Sequence, residues 1–140
     1  MIFSGTTLVT GAAGFMGSHV VESLVRDGVN VRATARPRKD LSFFDNLGVE
    51  FVAADLTRPD TLEPLFKKDV DRVFHLGAIC NFSTPYAKLS PTNVAGVDHI
   101  TRLAGKNRVK VFVHVTSTSV YGAYRGKPFH ENDPREPQDD

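Results

Sequence analysis

A doubly wound α/β domain on a parallel sheet is the fold this sequence predicts, and three observations carry the prediction. Apolar runs at residues 6–10, 29–35, 49–54, 71–76 and 109–115 alternate with helix-like stretches at βαβ spacing. The first run opens into Thr10-Gly11-Ala12-Ala13-Gly14-Phe15-Met16-Gly17, with glycines three apart where a strand would pass into a helix. The 140 residues, 41% of them hydrophobic, suffice for one core and are too few for two ordinary domains. About five strands in one domain follow, with a polar loop tail over 123–140.

The elements can be justified in turn. Thr6 to Thr10 is apolar between Gly5 and Gly11, the pattern of a central strand buried on both faces. From Gly14 to about Asp27, Phe15, Val20, Val21, Leu24 and Val25 share one helical face, and Gly28 is placed to stop the helix. Val29 to Ala35 forms the second strand, Leu41 to Leu47 a short helix and Val49 to Ala54 the third strand. Pro59 opens a helix over about Asp60 to Phe66, and Asp71 to Leu76 is the fourth strand. Val94, Val97, Ile100, Leu103 and Ala104 recur at helical spacing, with Gly105 as a stop. The sequence alone places the start of this helix near Ser90, with Pro91 in its first turn. Val109 to Val115 is the fifth strand, apolar except for Lys110 and His114, and it gives way to the hydroxyls of residues 116–119.

The glycine turn suits a diphosphate. Gly11 permits a sharp bend, Gly14 keeps side chains away from the phosphates, and Gly17 lets the helix pack close to the strand, while the helix amino end offers free N–H groups to an anion. The end of the second strand then faces the adenosine ribose, where an acid would accept from the 2′-OH and an arginine would pair with a 2′-phosphate. This chain has Ala35-Arg36 there, with Arg38 and Lys39 close by and Asp40 as the first acid, which favours NADP over NAD. Arg38 and Lys39 also read as a solvated basic loop.

Other classes find no support in the sequence. Lys and Arg total 17 against 16 acids, a net charge of +1, so no basic footprint points to nucleic acid or an acidic membrane. A single cysteine, Cys80, allows no internal disulfide, and no apolar run reaches the length of a membrane span. A cytoplasmic location is the expectation. His19 shares no metal-site spacing with another His, Cys or carboxylate, so it reads as a packing or phosphate-side residue and no metal site is expected.

Five ordered features together resemble the extended short-chain dehydrogenase/reductase family of nucleotide-sugar epimerases, dehydratases and dihydroflavonol reductase-like enzymes. They are the Thr10-Gly11-x-x-Gly14-Phe15-x-Gly17 turn, Asp55-Leu56, His75-Leu76-Gly77-Ala78, Asn93-Val94-x-Gly96, and Ser117 four residues before Tyr121-Gly122. The resemblance implies a Rossmann fold with strand order 3-2-1-4-5, residues 1–140 being an incomplete domain of it, and an NAD(P) site formed by Gly11, Ala13, Gly14, Phe15, Met16, Gly17 and Arg36, with Asn93 and Thr116 beside it. Asp55 would accept from the adenine amino group, the Leu56 N–H would meet the ring, and Leu76, Gly77 and Ala78 would line the nicotinamide-ribose side. A capping role for Asp55 after its strand fits the same residues. Asn93 in the family steadies a helix that begins earlier than Ser90, and Val97 departs from the family's usual Thr.

The resemblance makes Ser117 the candidate catalytic residue, a donor to the substrate oxygen at the carbon that gives or receives hydride. A strand-end hydroxyl that only satisfies backbone groups is the alternative. The family's Tyr-x-x-x-Lys pair has no match here: Tyr86 is followed at that spacing by Ser90, Tyr121 by Arg125 and Tyr124 by Pro128. The expectation is therefore a piece of an enzyme acting on a small-molecule substrate, inactive by itself and partnered by a second copy or by a chain carrying the remainder. A non-catalytic NAD(P)-sensing or regulatory module is the competing reading.

Overall fold

The computed structural model describes residues 5–37, 42–67, 69–81, 83–123 and 126–137. Arg38, Lys39, Asp40, Leu41 and Tyr124, which figure in the sequence reading, lie outside them. Five strands, β1 (Thr6–Thr10), β2 (Val31–Thr34), β3 (Glu50–Phe51), β4 (Val70–His75) and β5 (Val111–His114), form one sheet in the order β3-β2-β1-β4-β5. Every pairing is parallel. The strand order and Rossmann-like architecture are those predicted.

β1 is central because its residues satisfy both sides of the sheet. Leu8 belongs to one buried cluster, with Leu62, Leu65, Val73, Ile100 and Ala104, and Val9 to another, with Ala12, Val21, Val31, Ala33 and Phe44. Side chains alternate along a strand, so consecutive apolar residues mark one covered on both faces. The helix α1 (Phe15–Arg26) covers the second face through Val21, with Val20, Leu24 and Val25 packed against the cluster. It ends as predicted at Gly28, whose φ of +73° accompanies bonds from Gly28 N–H to Val25 O and from Val29 N–H to Leu24 O.

Several elements differ from the sequence reading. β2, β3 and β5 are shorter than their apolar runs, although Val52 N–H still donates to Ala33 O at 3.0 Å and Ala54 N–H to Ala35 O at 3.1 Å, and α2 is described over Ser42–Asp45. The predicted helix at 60–66 is two 3₁₀ turns, Pro59–Thr61 and Glu63–Phe66, interrupted where Pro64 withholds its N–H. Phe15, placed by periodicity on the apolar face, is 83% exposed; it stands at the first position of α1, and its ring meets the His19 ring edge-on. Gly105 lies inside a helix rather than ending it. The stop falls at Arg108, whose φ of +55° supports the same pair of bonds, Arg108 N–H to Gly105 O and Val109 N–H to Ala104 O.

The largest correction concerns the helix before β5. It begins at Tyr86, not near Ser90, and runs without a break through α3 (Tyr86–Ser90), a π turn at Pro91–Ala95 and α4 (Gly96–Lys106). Pro91 has no N–H for the ordinary ladder, and the chain widens by a residue over the following turn instead of stopping. The extra residue shifts the helical phase, which leaves Val94 exposed while Ile100 and Ala104 reach the core.

One buried charge ties the sheet to the 3₁₀ segment. Arg32 on β2 is 1% exposed, and its guanidinium donates to Leu65 O at 2.7 Å, to Lys67 O, and to the Glu50 carboxylate at 2.9 Å. Three acceptors compensate its desolvation. We predict that Arg32→Met, which keeps length and removes the donors, lowers unfolding free energy by about 3 kcal/mol. Urea denaturation would measure this, and an unchanged midpoint would refute it.

Candidate functional site

The carboxyl ends of the strands open into a cleft with about 760 Å³ of empty space. Its walls come from Thr10, Gly11, Ala13 and Gly14 after β1, Thr34 to Arg36 at the end of β2, Ala54 to Leu56 beyond β3, Leu62, Leu76 to Ile79 after β4, and Thr92 of the π turn. The cleft straddles the point where the strand order reverses, between β1 and β4. Crevices at such points are where open α/β sheets bind their ligands.

The glycine turn forms the floor. At Gly11, φ is +66°, and a Cβ would lie 2.7 Å from Gly77 N, so the backbones after β1 and β4 touch. At Gly17 a Cβ would lie 2.1 Å from Gly11 O, which fixes how closely α1 approaches β1. A Cβ at Gly14 would meet only Gly11 O, at 3.1 Å, leaving a concave strip of bare backbone. No side chain caps α1 at Gly14, and its first ladder bond runs from Ser18 N–H to Gly14 O at 3.0 Å. The amides of Phe15, Met16 and Gly17 precede that bond, at the positive end of the helix dipole. The Phe15 and Met16 side chains are exposed, so these residues present only backbone N–H groups toward the glycine turn. This cradle, free of side chains and rich in donors, fits a dinucleotide's diphosphate.

At the other end, Arg36 is exposed in the cleft wall near Asp55. One Asp55 oxygen, Oδ1, accepts from Thr57 N–H at 2.9 Å and from Thr57 Oγ1 at 2.8 Å. The Thr57 backbone bond is the main reason its pKa lies below the ordinary carboxylate value, with the Arg36 charge contributing less. Asp55 therefore makes a local turn with Thr57 rather than the helix cap considered for it, since the 3₁₀ turn that follows has Arg58 at its N-cap and no side-chain cap bond, and it stands in the cleft wall. Leu56, Leu76, Gly77 and Ala78 also line the cleft.

Asn93, Thr116 and Ser117, also identified from the sequence, stand outside the cleft walls. Asn93 holds the loop after β4, its Oδ1 accepting from Ile79 N–H at 2.8 Å and its Nδ2 donating to Ile79 O at 2.9 Å. Ser117 and Thr116 are exposed beyond β5. Ser117 caps a 3₁₀ turn, Thr118–Tyr121, with its Oγ accepting from Ser119 N–H at 3.1 Å and donating to Ser119 Oγ at 2.9 Å. Among the described residues no cluster of three or more His, Cys, Asp or Glu is arranged to hold a metal, and no helix is long and apolar enough to cross a membrane.

A family profile described as "NAD dependent epimerase/dehydratase family" matches residues 7–140. The chain belongs to that family. It is 29% identical to human dTDP-D-glucose 4,6-dehydratase over 96% of its own length and 42% of the relative's. It is 36% identical to UDP-glucuronic acid decarboxylase 4 of Arabidopsis thaliana over 82% of its own length and 26% of the relative's. A short-chain dehydrogenase/reductase superfamily protein from Agrobacterium tumefaciens, solved with bound NAD, superposes with a TM-score of 0.81 at 29% identity, covering 96% of this chain and 40% of that one. The chain thus spans well under half the length of these relatives.

His75, quoted above only as part of its motif, proves central to the floor. Its Nδ1 lies 2.7 Å from Thr10 Oγ1, which accepts from Gly77 N–H at 3.2 Å, so one hydroxyl joins β1 to the turn after β4. The ring is 1% exposed and stacks on His114 with centroids 5.3 Å apart. Its Nε2 is buried without a partner among the described residues. Burial, and secondarily the neighbouring His114, push the His75 pKa down to about 4. The unfolded chain, with its ordinary value near 6.5, then binds more protons than the folded one between these values. Stability is complete above pH 6.5 and falls as pH drops toward 4, by about 3 kcal/mol in all. Urea unfolding at pH 7.5 and 4.5 should show this loss, and His75→Leu should flatten it. A loss of equal size in the variant would contradict the assignment.

Proposed function

We propose that this chain is the dinucleotide-binding part of an enzyme that moves a hydride at a hydroxyl or carbonyl carbon of a small substrate. The observation that carries this is the continuous cleft from Gly11, Ala13 and Gly14 of the glycine turn to Arg36 and Asp55 on one side and Leu76 to Ala78 on the other. The dinucleotide, when bound, supplies the hydride acceptor or donor. The chain's own residues bind and orient it: the amides of residues 15–17 take the diphosphate, Asp55 and the Leu56 N–H the adenine, and Leu76, Gly77 and Ala78 the nicotinamide ribose. Ser117 is read as the donor to the substrate oxygen. His114 pairs with His75, and Ser117 stands three residues past one as Ala78 stands three past the other, beyond the carboxyl ends of adjacent strands.

A non-catalytic dinucleotide-binding module is the second reading, favoured by the Ser117 hydroxyl already being committed to its own turn. Extending the sequence beyond residue 140 would separate the two, since a Tyr-x-x-x-Lys in the next stretch supports the enzyme.

NADP is the preferred form. Arg36 stands at the end of β2 without an acidic neighbour from that strand in the cleft wall, the arrangement that suits a 2′-phosphate rather than a free 2′-OH. Titration calorimetry on the wild-type chain is expected to show NADP binding more tightly than NAD. Arg36→Asp should weaken NADP roughly tenfold or more, by loss of a charge-assisted bond of about 1.5–3 kcal/mol, and change NAD only a few-fold. Equal affinities for both, before and after the change, would overturn the preference, and binding of neither would overturn the function.

A further inference from the structure

Behind the corner of the cleft wall formed by Asp55 and Leu56 stands His99, half-buried on α4. Its Nδ1 lies 3.4 Å from Leu56 O. A carbonyl oxygen only accepts, so Nδ1 carries the proton and donates. Gly96, one turn earlier on the same side of the helix, lets α4 come close enough for this bond: a Cβ there would lie 2.9 Å from Leu56 Cβ and 3.5 Å from Leu56 O. Leu56 is thereby wedged between α4 and the cleft floor, since its Cδ1 lies where a Cβ at Gly77 would be only 2.8 Å away.

The oxygen that His99 holds belongs to the peptide joining Leu56 to Thr57, and the N–H of that same peptide donates to Asp55 Oδ1 at 2.9 Å. In a trans peptide the C=O and N–H point to opposite sides of one rigid plane. The peptide is therefore held at both ends, and turning it would swing the Asp55 carboxylate with it. The backbone of Asp55 itself is fixed by other groups, its N–H donating to Thr61 Oγ1 at 3.0 Å and its oxygen accepting from Arg58 N–H at 2.9 Å. What His99 adds is the direction of the carboxylate. Oδ1 is engaged inside the turn by Thr57, and Oδ2 accepts no hydrogen bond from any described residue.

We propose that His99 is a positioning residue for base recognition: by holding the Leu56–Thr57 peptide it aims the second Asp55 oxygen at the amino group of the bound adenine. The preference of the cleft for adenine over a base without that amino group then depends on His99, which touches no part of the ligand. The inference rests on the dinucleotide reading above, in which Asp55 accepts from the adenine. Hypoxanthine carries an oxygen where adenine has its amino group, so it offers Asp55 no donor at that position and sets two acceptors against each other.

The test is calorimetric titration of the 140-residue chain with NADP and with its hypoxanthine analogue, comparing wild type, His99→Leu and His99→Asn. Leu keeps bulk and removes the donor, whereas Asn returns an N–H near the place of Nδ1. Wild type should bind NADP at least about tenfold more tightly than the analogue. His99→Leu should raise Kd for NADP about fivefold and leave the analogue within about twofold, bringing the preference below about threefold, and His99→Asn should restore it to at least about fivefold. A preference of wild-type size in His99→Leu overturns the proposal. So does equal weakening of both ligands, which a merely structural role would give, or a loss that Asn does not restore. A measurement on wild type alone stands beside these: imidazole nitrogen NMR shifts should show the neutral His99 ring protonated at Nδ1, and protonation at Nε2 instead overturns the proposal even where a variant does not fold. Equal wild-type affinity for NADP and the analogue removes the adenine contact of Asp55, and the proposal with it, while the cleft remains a dinucleotide site. Binding of neither removes the dinucleotide reading itself.

Discussion

The close approach of two backbones, after β1 and after β4, is the constraint on which the rest of the structure depends. Gly11 and Gly77 meet so tightly that a single Cβ at Gly11 would strike three backbone atoms within 2.8 Å. Thr10 and His75 lock the same junction from beneath with side-chain bonds. The strand order reverses here, so the contact sets the width of the cleft and the direction in which α1 leaves the sheet. A larger residue at Gly11 or Gly17 would push apart the two halves of the fold as well as block a ligand.

The floor is held from outside the cleft. Arg32 anchors the 3₁₀ segment to β2, Asn93 anchors the loop after β4 to the helix, and Asp55 with Thr57 shapes the turn after β3. The Asp55 and Asn93 bonds lie in the loops at the carboxyl edge, whereas Arg32 holds the segment that leads into the amino end of β4. The opposite character appears at β5. Val111, Val113 and Val115 are exposed there, and the strand has no partner on its outer side among the described residues.

The sequence made the sheet order, the central place of β1 and the glycine cradle legible, because each follows from a local pattern: doubled apolar residues at Leu8-Val9, glycines three apart, and βαβ spacing. It also identified Arg36, Asp55, Leu56 and Leu76 to Ala78 as residues that line one cleft. What it missed depends on tertiary context. Pro91 reads as a helix start, since a proline in the interior costs a hydrogen bond, and only packing of the longer helix against the sheet makes the π turn worth forming. Phe15 fits the apolar face by count and yet is exposed at the first position of α1, its ring against His19. Arg32 looks like a surface charge until the carbonyls of Leu65 and Lys67 are brought beneath it. Thr92 gave no signal of its own, because its place in the wall depends on a helical phase that periodicity did not supply.

The central claim is that the amides at the start of α1 and the β1–β4 junction form a dinucleotide cradle within this stretch of chain. Backbone amide chemical shifts recorded while NADP is added to the 140-residue chain test it most directly. The account predicts saturable shifts concentrated at Phe15, Met16, Gly17 and Gly77, with the outer strand β5 little affected. Undisturbed amides at residues 15–17, with the shifts gathered instead around Tyr121 to Pro134 or absent throughout, would contradict it.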